Sequence, residues 1–115
     1  MRILFATALV LSATAAGAQN LNSANYRMEG CRAAVDNRAT YFSGYCLGLV
    51  DGIVFGEFGH DTYCFPPISA AGAGVTLKQI VRVVVAYIDA RPARMHEDFR
   101  KLALEALVDA WPCKR

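Results

Sequence analysis

An all-α fold is predicted for this sequence: a small four-helix domain made of two antiparallel helical hairpins and stapled by disulfides. Four segments repeat apolar residues at spacings of three and four, as amphipathic helices do. Short connections between consecutive segments make them antiparallel neighbours. Four cysteines, an even number, can form two disulfides.

Composition and charge exclude several classes of protein. With 115 residues the chain holds at most one domain of ordinary size. Its content of 55% hydrophobic and 19% charged residues is too apolar for an intrinsically disordered protein. The formal net charge of +2 is too small for the basic stripe of a nucleic-acid-binding protein, so no nucleic-acid partner is expected.

The N-terminal segment has the pattern of a secretory signal peptide. A basic start, Met1-Arg2, precedes an apolar run that ends in the small-residue site Ala16-Gly17-Ala18. We therefore predict a signal peptide over residues 1–18, a mature domain over 19–115 and a location in the periplasm. The alternative is a membrane anchor, but the run is shorter than the ~20 residues that a spanning helix needs. No membrane association is expected after cleavage.

The first two helices are predicted over the first half of the mature chain. Asn22, Ser23 and Asn25 are good N-cap residues for a helix that runs to about residue 35, although Gly30 weakens it. The second helix is predicted from 41 to about 58, where apolar residues are denser. It contains a glycine at every fourth position: Gly44, Gly48, Gly52 and Gly56. We interpret this stripe as a face that packs tightly against another helix; a ligand groove and a bent helix are the alternatives.

The last two helices have clear beginnings. Thr76 and Gln79 form a capping-box pattern at the start of the third helix. Pro92 ends that helix and is predicted to open the fourth, which runs to about residue 111. Ion pairs at four-residue spacing are expected on its polar face; they are Arg94/Asp98, Glu97/Lys101 and Lys101/Glu105.

The predicted hairpins suggest how the cysteines pair. Cys31 near the end of the first helix meets Cys46 in the early turns of the second, while Cys113 returns toward the loop that carries Cys64. The gaps between the cysteines lack the short Cys-x(2–4)-Cys knuckle of zinc sites. We therefore expect two disulfides, no metal and no other cofactor.

Little in the sequence indicates catalysis. His60-Asp61 could suggest a general base, but adjacent residues rarely form a catalytic pair and no nucleophile accompanies them. His96 is expected to be a surface residue of the fourth helix. Phosphate-binding loops, dinucleotide fingerprints and zinc-protease motifs are absent from the sequence. The protein is therefore not expected to be an enzyme.

The connection from Gly59 to Val75 is the best candidate for a binding site. It has seventeen residues, and loops of that length in small domains are often functional. Its candidate partner-binding residues are His60, Asp61, Tyr63 and Phe65. The alternative is that the two aromatic residues cap the core beside a disulfide.

An ordered set of short motifs resembles the Rap/Tai family of immunity proteins. The motifs begin with Cys46-Leu47-Gly48-Leu49-Val50-Asp51-Gly52 and Tyr63-Cys64-Phe65-Pro66, and they continue through Val75–Gln79, Val83–Ile88, Arg91-Pro92, Ala106-Leu107 and Pro112-Cys113. The resemblance implies a small, exported, all-helical and disulfide-bonded protein. It also implies that the protein neutralises a type VI secretion amidase by covering its active site in the periplasm, as a homodimer.

This sequence departs from the family pattern in two places. Leu49 stands where a tyrosine is frequent, and residues 68–74 look like an insertion. The predicted function is thus an immunity-type protein that occludes a peptidoglycan amidase effector. The alternative is a stress- or chaperone-like helical protein of the periplasm, although ten carboxylic side chains are few for an acid-activated chaperone.

Overall fold

The computed structural model describes residues 20–57, 60–66 and 74–114. The predicted signal peptide, Phe58, Gly59 and residues 67–73 of the predicted loop lie outside the described residues. The described part contains four α-helices and no β-strand, which confirms the predicted fold class. The helices are α1 (Ala24–Val35), α2 (Tyr41–Gly56), α3 (Leu77–Asp89) and α4 (Phe99–Ala110).

Both disulfides pair as predicted. Cys31 of α1 is bonded to Cys46 of α2, and Cys64 is bonded to Cys113 just beyond α4. Helix α1 packs most extensively against α2, and α3 against α4, so the fold is two hairpins. One disulfide joins α1 to α2, and the other joins the connection before α3 to the chain just beyond α4. Within the described ranges, no helix combines the length and the apolar character that crossing a bilayer requires.

Local capping explains where α2 and α3 begin. The Thr40 hydroxyl accepts from the Ser43 amide at 3.0 Å, and the Ser43 hydroxyl accepts from the Thr40 amide at 2.8 Å. This reciprocal capping box, with serine at the third helical position, fixes the start of α2. Half of the predicted capping box of α3 is present: the Thr76 hydroxyl accepts from the Gln79 amide at 3.2 Å, but the Gln79 side chain makes no return bond to the Thr76 amide.

The fourth helix begins later than the sequence predicted. Pro92 opens only a short 3₁₀ turn that ends at Arg94, and α4 itself begins at Phe99. Asp98 caps α4 by accepting from the Arg100 amide at 2.9 Å, so it does not pair with Arg94 as predicted. The predicted start was wrong because carbonyl groups of the residues between Arg94 and Phe99 accept hydrogen bonds from α1.

Those carbonyl groups cap the N-terminal end of α1. The first amide groups of a helix have no partner inside it, and the Ser23 side chain forms no capping bond here. Instead, the Ala24 amide donates to the Glu97 carbonyl at 3.0 Å and the Asn25 amide donates to the Met95 carbonyl at 2.8 Å. The turn before α4 therefore caps the first turn of α1, and its backbone does not form part of α4.

The core lies where the four helices meet. Its largest fully buried side chains come from every helix; they are Phe99, Met28, Ile88, Leu102, Leu107, Val50, Val81, Val84 and Cys31. Other apolar side chains pack around this cluster at partial exposure, among them Leu49, Ile53 and Tyr63.

The close contact between α1 and α2 is made by Gly30, not by the glycine stripe of α2. A Cβ atom at Gly30 would overlap the carbonyl oxygen of Phe42, so a larger residue cannot fit without a shift. By contrast, Cβ atoms at Gly44, Gly48, Gly52 and Gly56 would meet nothing within 4 Å. The interpretation of the stripe as a buried packing face was therefore wrong: it lies on the outer face of α2.

Candidate protein-binding surfaces

The described part of the predicted loop is anchored at Cys64. Its disulfide to Cys113 ties it to the end of α4, and its amide donates to the Trp111 carbonyl at 2.8 Å. Two bonds at one residue hold the chain on both sides of it close to α4. Cys64 is thus held in place before any partner binds, and an anchor of this kind lowers the entropy cost of binding.

Tyr63 and Phe65 pack inward beside this anchor. The Phe65 ring lies 5.0 Å from the Tyr63 ring and 5.0 Å from the Trp111 ring, with an edge-on geometry to the tryptophan. The Tyr63 hydroxyl donates to the Val54 carbonyl of α2 at 3.0 Å. Burial, and then the nearby Glu57 carboxylate, raise the pKa of Tyr63. Both rings are half-buried, so they support the core as well as any binding surface.

His60 and Asp61 are the outward-facing residues of the segment. Both are exposed, while the neighbouring Thr62 hydroxyl donates to the Glu57 carboxylate at 3.1 Å and ties the turn to the end of α2. Of the four predicted loop residues, two therefore present side chains to solvent and two hold the loop in place.

A second surface, the outer face of α2, was missed by sequence reasoning. Tyr41 is 77% exposed, Phe55 is 81% exposed and Tyr45 is 41% exposed. Gly44, Gly48 and Gly52 lie between these rings along the chain, and all four glycines of the stripe are exposed. A helical projection would have placed the rings on the glycine face, but it could not have shown that this face is turned to solvent.

One side of this face borders a shallow groove of about 570 Å³. Its α2 wall contains Gly48, Gly52 and Gly56, and Arg100 and Leu104 of α4 contribute to the opposite wall. Outside this groove, the Arg27 guanidinium of α1 lies 4.3 Å from the centre of the Tyr45 ring. Arginine and tyrosine are enriched at the centres of protein interfaces.

The main ion-pair network lies on the turn before α4 and was only partly predicted. Arg94 binds Glu97 at 2.5 Å and Glu105 at 2.7 Å, and Lys101 binds Glu97 at 2.8 Å as expected. Hydrogen bonds from Arg94, and then from Lys101, lower the pKa of Glu97 to about 2. The network joins α4 to the turn that caps the N-terminal end of α1, which indicates a structural role.

The described residues offer no metal-binding cluster, since no group of three or more His, Cys, Asp or Glu side chains converges in them. His96, predicted to be a surface residue, is exposed. It borders an open cleft with Glu29 and Tyr26 of α1.

Comparison with known protein families supplies the identification. The family model described as Rap1a immunity proteins matches residues 18–113, nearly all of the chain. The chain belongs to the Rap1a immunity protein family. No curated protein and no solved structure matches it.

Membership of the Rap1a family suggests an immunity role in type VI secretion, exercised by binding a protein partner. It confirms the resemblance seen in the sequence. The all-helical fold and the two disulfides agree with that resemblance as well.

Proposed function

We propose that this protein is a periplasmic immunity protein that binds a peptidoglycan amidase effector of a type VI secretion system and covers its active site. The observation that carries the proposal is the family match over residues 18–113. The signal-peptide pattern of residues 1–18 and the two disulfides support export to an oxidising compartment.

The segment 60–66 is the proposed effector-binding surface. Cys64, Tyr63 and Phe65 fix its base against α4 and α2. Its outward residues, His60 and Asp61, project an imidazole ring and a carboxylate that suit polar recognition. An anchored segment of this kind can block a cleft in another protein without reacting there, and this inhibition by occlusion requires no catalytic group or cofactor.

Inhibition of an amidase effector encoded beside this gene tests the proposal. The purified chain 19–115 is expected to stop cleavage of peptidoglycan cross-links at an equimolar ratio. Asp61→Lys is expected to weaken inhibition by more than about 1 kcal/mol in binding free energy, because it reverses a charge at the proposed contact.

Asp109→Lys is the matched control, since Asp109 is an exposed carboxylate on α4. Equal losses from both variants would show that the effect is one of net charge and would remove segment 60–66 from the interface. An amidase that remains fully active beside the unmodified protein would contradict the function itself. Suppression of aggregation of periplasmic proteins in the same samples would then favour the stress- or chaperone-like alternative.

A further inference from the structure

A small recess opens between α1, α2 and the start of α4. Its volume is about 140 Å³, and its walls include Arg27 of α1, Arg100 of α4 and Asn22 just before α1. Larger apolar and aromatic side chains complete the lining; they are Tyr45, Leu49 and Phe99. No acidic side chain is among the described residues that line the recess, so its walls carry positive charge.

Arg27 is the cation of this recess that the fold leaves without a counter-charge. It is half-buried, and no carboxylate of the described ranges lies within ion-pair distance of it. Its guanidinium lies 4.3 Å from the centre of the Tyr45 ring and 5.2 Å from that of Tyr26. The two rings hold the guanidinium in place by cation–π attraction, but a ring face does not replace a carboxylate acceptor. A guanidinium fixed in this way is prepared to bind a carboxylate at low entropy cost.

Arg100 brings a second guanidinium to the same recess. Its side chain is exposed, and its ion pair with Asp98 is loose, at 3.4 Å. Asn22 can add an amide donor beside the two arginines. Because charge-assisted hydrogen bonds from guanidinium groups are strong and match the two oxygens of a carboxylate, the recess has the chemistry of a carboxylate-binding site.

The recess continues into the shallow groove between α2 and α4. Leu49 and Arg100 line both of them. Beyond these two residues lie the half-buried Leu104 and the glycines of α2, whose backbone a second chain can approach closely. From Tyr45 to Gly56 the helix rises about 16 Å, which is the length of about five residues of extended chain.

The other end of the groove has the opposite charge. Glu57 lines the groove there, and its carboxylate accepts from the Thr62 hydroxyl of segment 60–66. An acidic group is repelled by Glu57 and attracted by the arginines, so charge fixes the direction in which a bound segment lies. The groove also joins the recess to the surface proposed above for the effector.

We propose that the recess binds an acidic side chain of a protein partner and that the groove binds the apolar residues next to it in extended conformation. Charge complementarity selects the acidic residue, and the half-buried leucines select its apolar neighbours. That this partner is the effector rests on the proposed function. The preference for an acidic residue beside apolar ones is a property of this chain alone.

NMR titration of the isotopically labelled chain 19–115 with a short peptide tests the site. Acetyl-Glu-Leu-Leu-amide is expected to shift the backbone signals of Leu49 and Arg100. It is also expected to bind at least about tenfold more tightly than acetyl-Gln-Leu-Leu-amide, which has the same shape but no charge. Equal affinities for the two peptides would overturn the carboxylate site. Sodium acetate that binds as tightly as the glutamate peptide would overturn the part played by the groove.

Arginine variants locate the contact. Arg27→Gln and Arg100→Gln are each expected to weaken binding of the glutamate peptide at least about fivefold and to leave that of the glutamine peptide unchanged. Arg100 is exposed, so its replacement keeps the test valid even if Arg27→Gln does not fold. Arg82→Gln is the matched control, because it removes the same charge from an exposed position of α3. An equal loss from this control would show that net charge alone attracts the peptide and would overturn the proposal.

Inhibition of a cognate amidase by the same variants tests whether the effector carries the acidic segment. Arg27→Gln and Arg100→Gln are each expected to raise the concentration needed for half-inhibition at least about tenfold. Unchanged inhibition by both variants would overturn the assignment of the segment to the effector. An amidase that the unmodified protein fails to inhibit would contradict the proposed function, whereas the peptide titration would still decide whether the recess binds a carboxylate.

Discussion

Gly30 of α1 lies directly against the backbone of Phe42 in α2, close enough that a Cβ atom on Gly30 would overlap the Phe42 carbonyl oxygen. The contact sits one residue from Cys31, whose disulfide to Cys46 joins the same two helices. The helices of the first hairpin are therefore held at a separation that only glycine permits. The sequence analysis had assigned this close packing to the glycines of α2 instead.

Replacing single glycines by alanine tests this assignment. Gly30→Ala is expected to lower the free energy of unfolding by about 1–3 kcal/mol, the usual cost of overpacking. Gly44→Ala, in open space on the same hairpin, is expected to raise it by about 0.5–1 kcal/mol through helix propensity. Chemical denaturation of dilute protein measures both. Destabilisation by Gly44→Ala alone would return the packing role to the stripe.

The aromatic residues beside Cys64 are expected to contribute to stability. Phe65→Ala should cost about 2 kcal/mol, less than a fully buried phenylalanine, because the ring is only half-buried against Tyr63 and Trp111. Tyr63→Phe should cost about 1 kcal/mol through loss of the bond to Val54.

Phe55→Ala is the control for these two changes, since it removes an equally large ring that is 81% exposed. In dilute protein it should change the unfolding free energy by less than about 0.5 kcal/mol. Melts in which Phe65→Ala is as stable as Phe55→Ala would mean that the loop aromatics do not support the core.

Acid stability should depend on the ion pairs of Arg94. The folded state lowers the pKa of Glu97 from 4.5 to about 2, and the Arg94 hydrogen bond lowers that of Glu105 in the same direction. A lowered pKa contributes stability that is present above the ordinary pKa and is lost as pH falls toward the folded value. The melting temperature is therefore expected to fall between pH 4.5 and pH 2.

Arg94→Met should flatten that part of the pH profile, because the carboxylates lose the partner that lowers their pKa. Arg82→Met is the control, since Arg82 is exposed on α3 and forms no ion pair within the described part of the chain. A profile of Arg94→Met that parallels its parent from pH 6 to pH 2 would contradict the assignment.

The two disulfides should differ in their resistance to reduction. Cys31 and Cys46 are buried, whereas Cys64 is exposed and Cys113 is partly so. Because thiol–disulfide exchange requires access to a sulfur atom, mild reductant is expected to open Cys64–Cys113 first. Alkylation followed by peptide mass mapping identifies the labelled thiols. Earlier labelling of Cys31 and Cys46 would show that the first hairpin opens more readily than its packing indicates.

Local sequence patterns were sufficient for the elements whose signals lie within a few residues. The Thr76 cap acts on its own neighbours, so the start of α3 could be predicted from the sequence, whereas Pro92 indicated the end of α3 but not the start of α4. The two disulfides followed because short connections leave few ways to arrange consecutive helices. The connection from Gly59 to Val75 was predicted to be a binding site, but its sequence alone could not separate the inward Tyr63 from the outward Asp61.

Only the tertiary structure decided which surfaces are buried. Helix α2 has apolar residues and glycines on most of its circumference, and helical periodicity shows which residues share a face but not which face meets the core. The answer came from α1, where Gly30 admits Phe42 and leaves the glycine stripe of α2 in solvent. The start of α4 was decided in the same way, because the carbonyl groups of Met95 and Glu97 accept from the first amides of α1, a partner about seventy residues away that no local pattern contains.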